Sequence, residues 1–484
     1  MEWTVVERKM KIPGFMIAAG ASGSGKTTIT CALIAALQQR GLRVAACKCG
    51  PDYIDPMFHR EILGVPSENL DLFFCEKDEL KDLYVRHTSR AEIAVTEGVM
   101  GYYDGMTLES DAASSYDVAK TLGIPVILVV PCKGMALSAA ASVLGMLEFR
   151  AESGIQGILL NRVSGMLYPR MKSLIESELK KRGFSIPVVG YVPEKDIFRL
   201  ESRHLGLKLP QEKDGIRRQM EQMGECLSQS IDIEKILEIA GRVPETIGNM
   251  QSENVENDKS VPPVRIAVAH DEAFCFYYKE NMEILRRLGC ELVPFSPLRD
   301  AHLPERIQGL LLGGGYPELY AKELAENESM RRQIFTAVTG GLPCIAECGG
   351  FLYLQQEIEG TEGKKFPMCG VIEGNAYRTE RLQRFGYLTL HAKEKGTYLN
   401  PGEEIRAHEF HYWDSTDNGA DCLAVKPDGR RKWECVHMKG NLFAGFSHLY
   451  FGSHPMFAKR FAARCRETAG KETVLNHKEF VRNS

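Results

Sequence analysis

No apolar run in this chain of 484 residues approaches the roughly 20 residues that a membrane-spanning helix requires. Charge of one sign is lacking too. The 60 Lys and Arg nearly balance 64 Asp and Glu, for a formal net charge of -4. Composition therefore gives no reason to expect nucleic acid or an anionic membrane as a partner. Among 14 cysteines no CxxC pair occurs; Cys47 and Cys49, one residue apart, come nearest. Zinc-site spacing is absent, and a disulfide framework is not expected in so long a chain, so most of these residues read as buried, reduced thiols of a cytoplasmic protein. Internal repeats and low-complexity tracts are missing as well. Residues 1–11 are polar and charged, and the apolar stretch behind them runs straight into a glycine-rich loop. That pattern predicts a first core strand rather than a signal peptide.

With 44% apolar and 26% charged residues the chain is an ordinary globular one, too long for a single hydrophobic core. Residues 12–245 alternate short β-branched runs with amphipathic stretches, the pattern of βαβ units. Strands are predicted at 15–19, 44–47, 93–96, 126–130, 157–160 and 188–189. None alternates cleanly, as expected of a parallel sheet buried on both faces. Residues 246–263 turn polar and end in Pro262-Pro263, which reads as a linker. A second αβ series begins at Val264 and passes through 309–312 and 343–346, with further β-like segments to about residue 451. The second domain is placed at 264–458 and a tail, read as a helix with a frayed end, at 459–484. The fold class is α/β in both halves.

Gly20-Ala21-Ser22-Gly23-Ser24-Gly25-Lys26-Thr27 matches the phosphate loop G-x-x-x-x-G-K-[ST] without exception, and it follows a predicted strand. Its amides and the positive end of the next helix suit a nucleotide phosphate. Gly23, Ser24, Gly25, Lys26, Thr27 and Thr28 form the expected ATP-binding set, Lys26 bridging the β- and γ-phosphates and the Thr27 hydroxyl suited to Mg²⁺. The loop after the second strand supplies Lys48, for phosphate or a substrate carboxylate, and Asp52 for the metal, with Tyr53 beside it as a substrate contact. The loop after the third strand supplies Glu97 as a metal-associated carboxylate and Asp104 facing substrate. Asn161, after the strand at 157–160, has the donor and acceptor for an adenine edge, and Gly190-Tyr191-Val192-Pro193 suits a pocket wall.

In the second half, Cys348 stands between a short strand and Gly349-Gly350. Strand, tight turn and helix make a nucleophile elbow, and the helix N-terminus is expected to lower the thiol pKa. Gly314 and Gly315, at the end of the strand 309–312, are candidate oxyanion donors. The base must be a histidine from elsewhere, with His408, His411, His437, His448 and His454 as candidates.

Together these segments resemble the cobyrinate a,c-diamide synthase family, closely related to the hydrogenobyrinate enzymes. The segments 48–56 and 97–105, the Cys348 turn and Ser447-His448 recur there in the same order, and the resemblance runs from about residue 15 to about 455. It implies a dethiobiotin synthetase-like ATP domain followed by a class I glutamine amidotransferase domain. It further implies that Thr27, Asp52 and Glu97 attend Mg²⁺, that Lys48 lies near the transferred phosphoryl group, that Asn161 contacts adenine and that His448 is the base for Cys348. The implied substrates are ATP, glutamine and cobyrinate, with hydrogenobyrinate or Ni-sirohydrochlorin as alternative macrocycles; monomer and homodimer both stay open. Class I amidotransferases usually carry His-Pro-Glu, and this family commonly His-x-His, where this chain has His448-Leu449-Tyr450. No triad carboxylate is visible there. P-loop switch ATPases carry an extra lysine at the second loop position, which is Ala21 here, and lack the thiol domain, which disfavours them.

Overall fold

Two parallel sheets organise the chain, one in each of the units Met1–Glu253 and Asn254–Ser484. The computed structural model describes residues 5–200, 202–203, 206–207, 213–251 and 263–469. In the first unit seven strands lie in the order Ser67–Leu70, Val44–Cys49, Ile93–Glu97, Gly14–Ala19, Val126–Pro131, Ile155–Asn161, Val188–Val192. Every neighbouring pair is parallel. Gly14–Ala19, Val44–Cys49 and Ile93–Glu97 are buried along their whole length, which explains their unbroken apolar character. The helix Lys26–Gln39 covers one face through Ile29, Leu33, Ile34 and Leu37. Because the strands are parallel, the loops that follow them all leave the same edge of the sheet, where α/β folds place their ligands.

All six strands expected from sequence are present. The seventh, Ser67–Leu70, reads Ser-Glu-Asn-Leu and carries no β-branched signal. Two of its buried polar side chains are hydrogen-bonded to the neighbouring loop and helix. Asn69 Nδ2 donates to Gly50 O at 2.9 Å and to Asp52 O at 2.7 Å, and Ser67 Oγ meets His59 Nδ1 at 3.1 Å.

The second unit contains a five-stranded parallel sheet, Cys290–Phe295, Val264–Ala269, Gly309–Leu312, Cys344–Glu347, Leu442–Gly445. A second, mostly antiparallel sheet is built on the long ribbon of Asn375–Ala392 and Glu404–Ser415. Ile345 packs with Leu388, Leu390 and Ala407 of that ribbon. Ala346, next along its strand, packs with Phe351 and Tyr353 instead, the alternation that a strand imposes. The short strand His448–Leu449 adds to Glu404–Ser415, with His448 opposite His408.

Two boundaries differ from the sequence reading. Thr246–Gln251, within the segment read as linker, pairs antiparallel with Val5–Met10, which precedes the expected domain start; the polar composition hid a backbone pairing that needs no apolar side chains. Residues 252–262 lie outside the described residues. The helix Pro455–Ala469 crosses the expected end of the second domain at 458. Phe457, Phe461, Ala462 and Cys465 on it are fully buried in the core, so this stretch belongs to the domain and not to a tail. Residues 470–484 lie outside the described residues.

Candidate active site

The phosphate loop leaves the strand Gly14–Ala19 and enters the helix through Gly25, whose φ of 92° is left-handed. A side chain there would also meet Asn161 Nδ2, so the position requires glycine on two counts. Lys26 Nζ donates to Ala21 O at 3.1 Å and Met100 O at 2.5 Å. Burial lowers its pKa to about 8, with the nearby Lys48 charge adding to the effect; an anion at the loop would restore the charged form.

Beneath the loop lies a buried polar cluster. The Thr27 hydroxyl donates to Glu97 Oε1 and stands 3.4 Å from Asp55 Oδ2. Lys48 Nζ lies 2.5 Å from Asp55 Oδ2 and 2.7 Å from Glu97 Oε1. Burial by itself would strip the Lys48 proton, but Asp55 and Glu97 outweigh it and hold the amine charged. Burial pushes Glu97 up, against the pull of Lys48, whereas Lys48 overcomes burial at Asp55 and holds it down. His59, fully buried, is pushed down to about 4 by burial.

Sequence reasoning placed Thr27, Lys48 and Glu97 in one site, and the structure brings all three together. It missed Asp55. Asp52 Oδ1 instead accepts from the amides of Ile54 and Asp55, at 2.7 and 3.1 Å, at the start of the helix Ile54–Glu61. The acid one turn further on is the one that reaches Thr27 and Lys48, and the spacing Asp52-x-x-Asp55 was the available signal. Among the described residues no cluster of three or more His, Cys, Asp or Glu could enclose a metal ion. Mg²⁺ needs less, one or two carboxylates with phosphate oxygens and water, and the oxygens of Thr27, Asp55 and Glu97 fit that demand.

A cavity of about 250 Å³ opens beside the loop, lined by Gly25, Thr28, Asn161, Arg162, Val192 and Pro193 among others. Both segments read as base-binding therefore border one cavity. Asn161 Nδ2 donates to Ser24 O at 2.8 Å, so this side chain also braces the phosphate loop. Tyr53 is buried at the start of the helix Ile54–Glu61. Asp104 is exposed, and its Oδ2 accepts from Gly101 N at 2.8 Å, closing its own loop.

In the second unit Cys348 links the strand Cys344–Glu347 to the helix Gly349–Leu354 at φ 47°, ψ -101°. A non-glycine residue in that region is strained, and the conformation is enforced by Cys348 N donating to Gly445 O at 2.8 Å. The elbow expected from sequence is present, but the expected pKa effect is reversed. Burial pushes the thiol well up, and the charges of Glu318, Glu409 and Glu347 add to this. A helix of six residues does not offset so deep a site with acids around it. The thiol therefore rests protonated and requires a base at the moment of attack.

Gly314 and Gly315 pair with the strand Phe274–Phe276 and approach the same turn. A Cβ on Gly349 would lie 3.0 Å from Gly315 N, and one on Gly314 would collide with the His448 ring. Thus Gly314, Gly315, Cys348 and His448 converge. Among the other histidines, His411 stacks on Phe446 at 3.9 Å with an interplanar angle of 6° and donates from Nδ1 to Trp413 O at 2.6 Å. His437 lies 3.4 Å from Asp417 Oδ1 and His454 3.7 Å from Glu403 Oε2. His448 is 3% exposed, and burial holds its pKa down to about 3, with His411 adding. Its ring is thus neutral at rest, and burial opposes the positive charge it would gain on taking a proton.

The comparisons with known proteins agree with both halves. Residues 15–207 match the CobQ/CobB/MinD/ParA nucleotide binding domain, and residues 265–456 match the CobB/CobQ-like glutamine amidotransferase domain. The cobyrinate a,c-diamide synthase of Caldanaerobacter subterraneus subsp. tengcongensis is 39% identical over 93% of this chain and 98% of its own length. That of Listeria innocua serovar 6a is 40% identical over 91% of this chain and 96% of its own. That of Salmonella typhimurium is 38% identical over 93% and 98%. With a phosphate loop over a Lys48–Asp55–Glu97 cluster in one unit, a strained thiol beside a neutral histidine in the other, and relatives matched almost end to end, the chain belongs to the cobyrinate a,c-diamide synthase family.

Proposed function

We propose that this enzyme amidates the a- and c-acetate carboxylates of cobyrinate, using ATP and glutamine. The observation that carries the reading is the presence of both half-sites in one chain whose cobyrinate a,c-diamide synthase relatives match it over more than nine-tenths of its length. A carboxylate resists ammonia because oxide is a poor leaving group. Its oxygen attacks the γ-phosphorus of ATP, the bond to ADP breaks, and an acyl phosphate results. Ammonia then adds to the acyl carbon and phosphate leaves with the electron pair, giving the amide. Lys26, Lys48 and the loop amides carry the charge that builds up on the phosphoryl oxygens. Mg²⁺, held by Thr27, Glu97 and an acid from the Asp52–Asp55 turn, would neutralise further phosphate charge when bound.

At the thiol, His448 takes the Sγ proton as sulfur adds to the glutamine carboxamide, and the amides at Gly314 and Gly315 receive the oxyanion. Collapse returns that proton to the departing nitrogen, so ammonia leaves and a thioester remains. Water hydrolyses it to glutamate and regenerates the thiol. Two rounds convert both acetates. The enzyme acts on dissolved small molecules and is placed in the cytoplasm.

The test is amidation of cobyrinate by purified protein with ATP and Mg²⁺, supplied with glutamine or with ammonium. Cys348→Ala should abolish the glutamine-dependent rate and spare the ammonium-dependent one; equal loss of both would refute the division of labour. Rates on cobyrinate, hydrogenobyrinate and Ni-sirohydrochlorin, measured side by side, decide the macrocycle.

A further inference from the structure

The segment after His448 offers Leu449 and Tyr450 where amidotransferases usually carry an acid, so the group that orients the base must come from another element. The strand that delivers the nucleophile supplies one. Glu347 directly precedes Cys348 and is 5% exposed. Its Oε1 accepts from Leu449 N at 3.3 Å, and its Oε2 lies 3.9 Å from His448 Nδ1. One carboxylate thus brackets the histidine, holding the backbone on one side of it and facing its ring on the other. The other buried acids near the thiol are placed differently. Glu409 accepts from Ser447 Oγ at 2.7 Å and lies 3.3 Å from His411 Nε2, and Glu318 sits on the turn Pro317–Leu319.

We propose that Glu347 is the positioning acid of the thiol site, its carboxylate fixing the His448 ring so that Nδ1 faces the acid and Nε2 is left to take the Cys348 proton. This rests on Cys348 and His448 being the glutamine-hydrolysing pair. A catalytic triad then forms in which nucleophile and orienting acid are consecutive residues, and one backbone segment sets the position of both relative to the histidine. Burial pushes the Glu347 carboxyl up to about 8 and the His448 imidazole down to about 3, so each alone favours its uncharged form. Once Glu347 has lost its own proton, its carboxylate offsets the cost of burying the imidazolium that forms when His448 takes the thiol proton. Two further titratable groups face that ring, His411, which adds to the lowering of His448, and His408, its cross-strand neighbour.

Glutamine hydrolysis by the full chain, followed across pH 5.5–9 in wild type, Glu347→Gln and Glu347→Asp, tests the assignment. Glu347→Gln keeps an acceptor for Leu449 N but cannot become an anion. Its kcat should fall on the order of 10- to 100-fold with little change in KM for glutamine. The acidic limb of the wild-type profile, which follows loss of a proton from the Glu347–His448 pair, should be missing or displaced to lower pH, since Gln cannot titrate and leaves His448 without the group that favours its protonated form. Glu347→Asp should recover part of the rate. Two results would overturn the assignment: wild-type kcat and pH profile in Glu347→Gln, or a fall in kcat with an unmoved profile and no recovery in Glu347→Asp, which marks a merely structural residue. Absence of glutamine hydrolysis in wild type would instead refute the reading of Cys348 and His448 themselves.

Discussion

Lys48 is the residue on which the ATP half of the site turns. Its amine neutralises two carboxylates in a place that water does not reach. Lys48→Met would leave Asp55 and Glu97 facing each other, and removing one partner from a buried ionic group costs about 3 kcal/mol or more. Denaturant unfolding of the variant should show that loss, along with failure of the ammonium-dependent reaction. His59 makes a prediction about pH. Its folded pKa of about 4 lies below the ordinary histidine value of about 6.5. The stability it contributes is therefore complete above pH 6.5 and lost as pH falls toward 4. Between pH 6.5 and 5 wild type should lose about 2 kcal/mol more than His59→Asn, read from unfolding curves at each pH. Lys26, Thr27, Lys48, Glu97 and Cys348 were legible in the sequence because a motif or a strand end marks each of them. Asp55 and Glu347 were not: each is adjacent to or one turn from a residue that drew attention first, and only the backbone path shows which carboxylate turns inward.

Among the elements, the strands Gly314–Gly315 and His448–Leu449 are only two residues each, and both meet at the thiol. Their closeness depends on the missing side chain at Gly314. Gly314→Ala would drive a methyl group into the His448 ring, and a displacement of about 1 Å at a catalytic group costs on the order of 100-fold in rate. The glutamine-dependent rate should fall by that factor while amidation with ammonium continues. Six parallel strands of the first unit and three of the second, at 264–268, 309–312 and 343–346, could be read from sequence because they are largely apolar; Cys290–Phe295, half-exposed, and Leu442–Gly445 were not. Ser67–Leu70 could not, because three of its four residues are polar, and its ladder to Val44–Cys49 leaves no mark on the composition. The ribbon Asn375–Ala392 with Glu404–Ser415 was seen only as further β-like segments. Its two strands pair with each other across residues 393–403, but no local pattern encodes the register that sets His408 against His448, forty positions on.

For the molecule as a whole the open chemical question is whether nitrogen is handed over within one chain. On the proposed mechanism Cys348→Ala should lack the ammonia source and Asp55→Asn carboxylate activation. If ammonia passes only within a chain, an equal mixture of the two variants stays inactive with glutamine at pH 7; if it escapes into solution, the mixture amidates cobyrinate. Two-unit organisation was legible from length, composition shift and paired motifs. The unit edges were not, since the pairing of Val5–Met10 with Thr246–Gln251 joins segments whose composition resembles that of loops. Holding Cys348 at φ 47° sets catalysis against folding. Glycine at that position would relieve strain of about 1 kcal/mol or more, so Cys348→Gly should unfold at higher denaturant than Cys348→Ala. A lineage that came to live on free ammonia would then be drawn toward glycine at position 348 by folding alone. Folding and glutamine use therefore favour different residues at that one position.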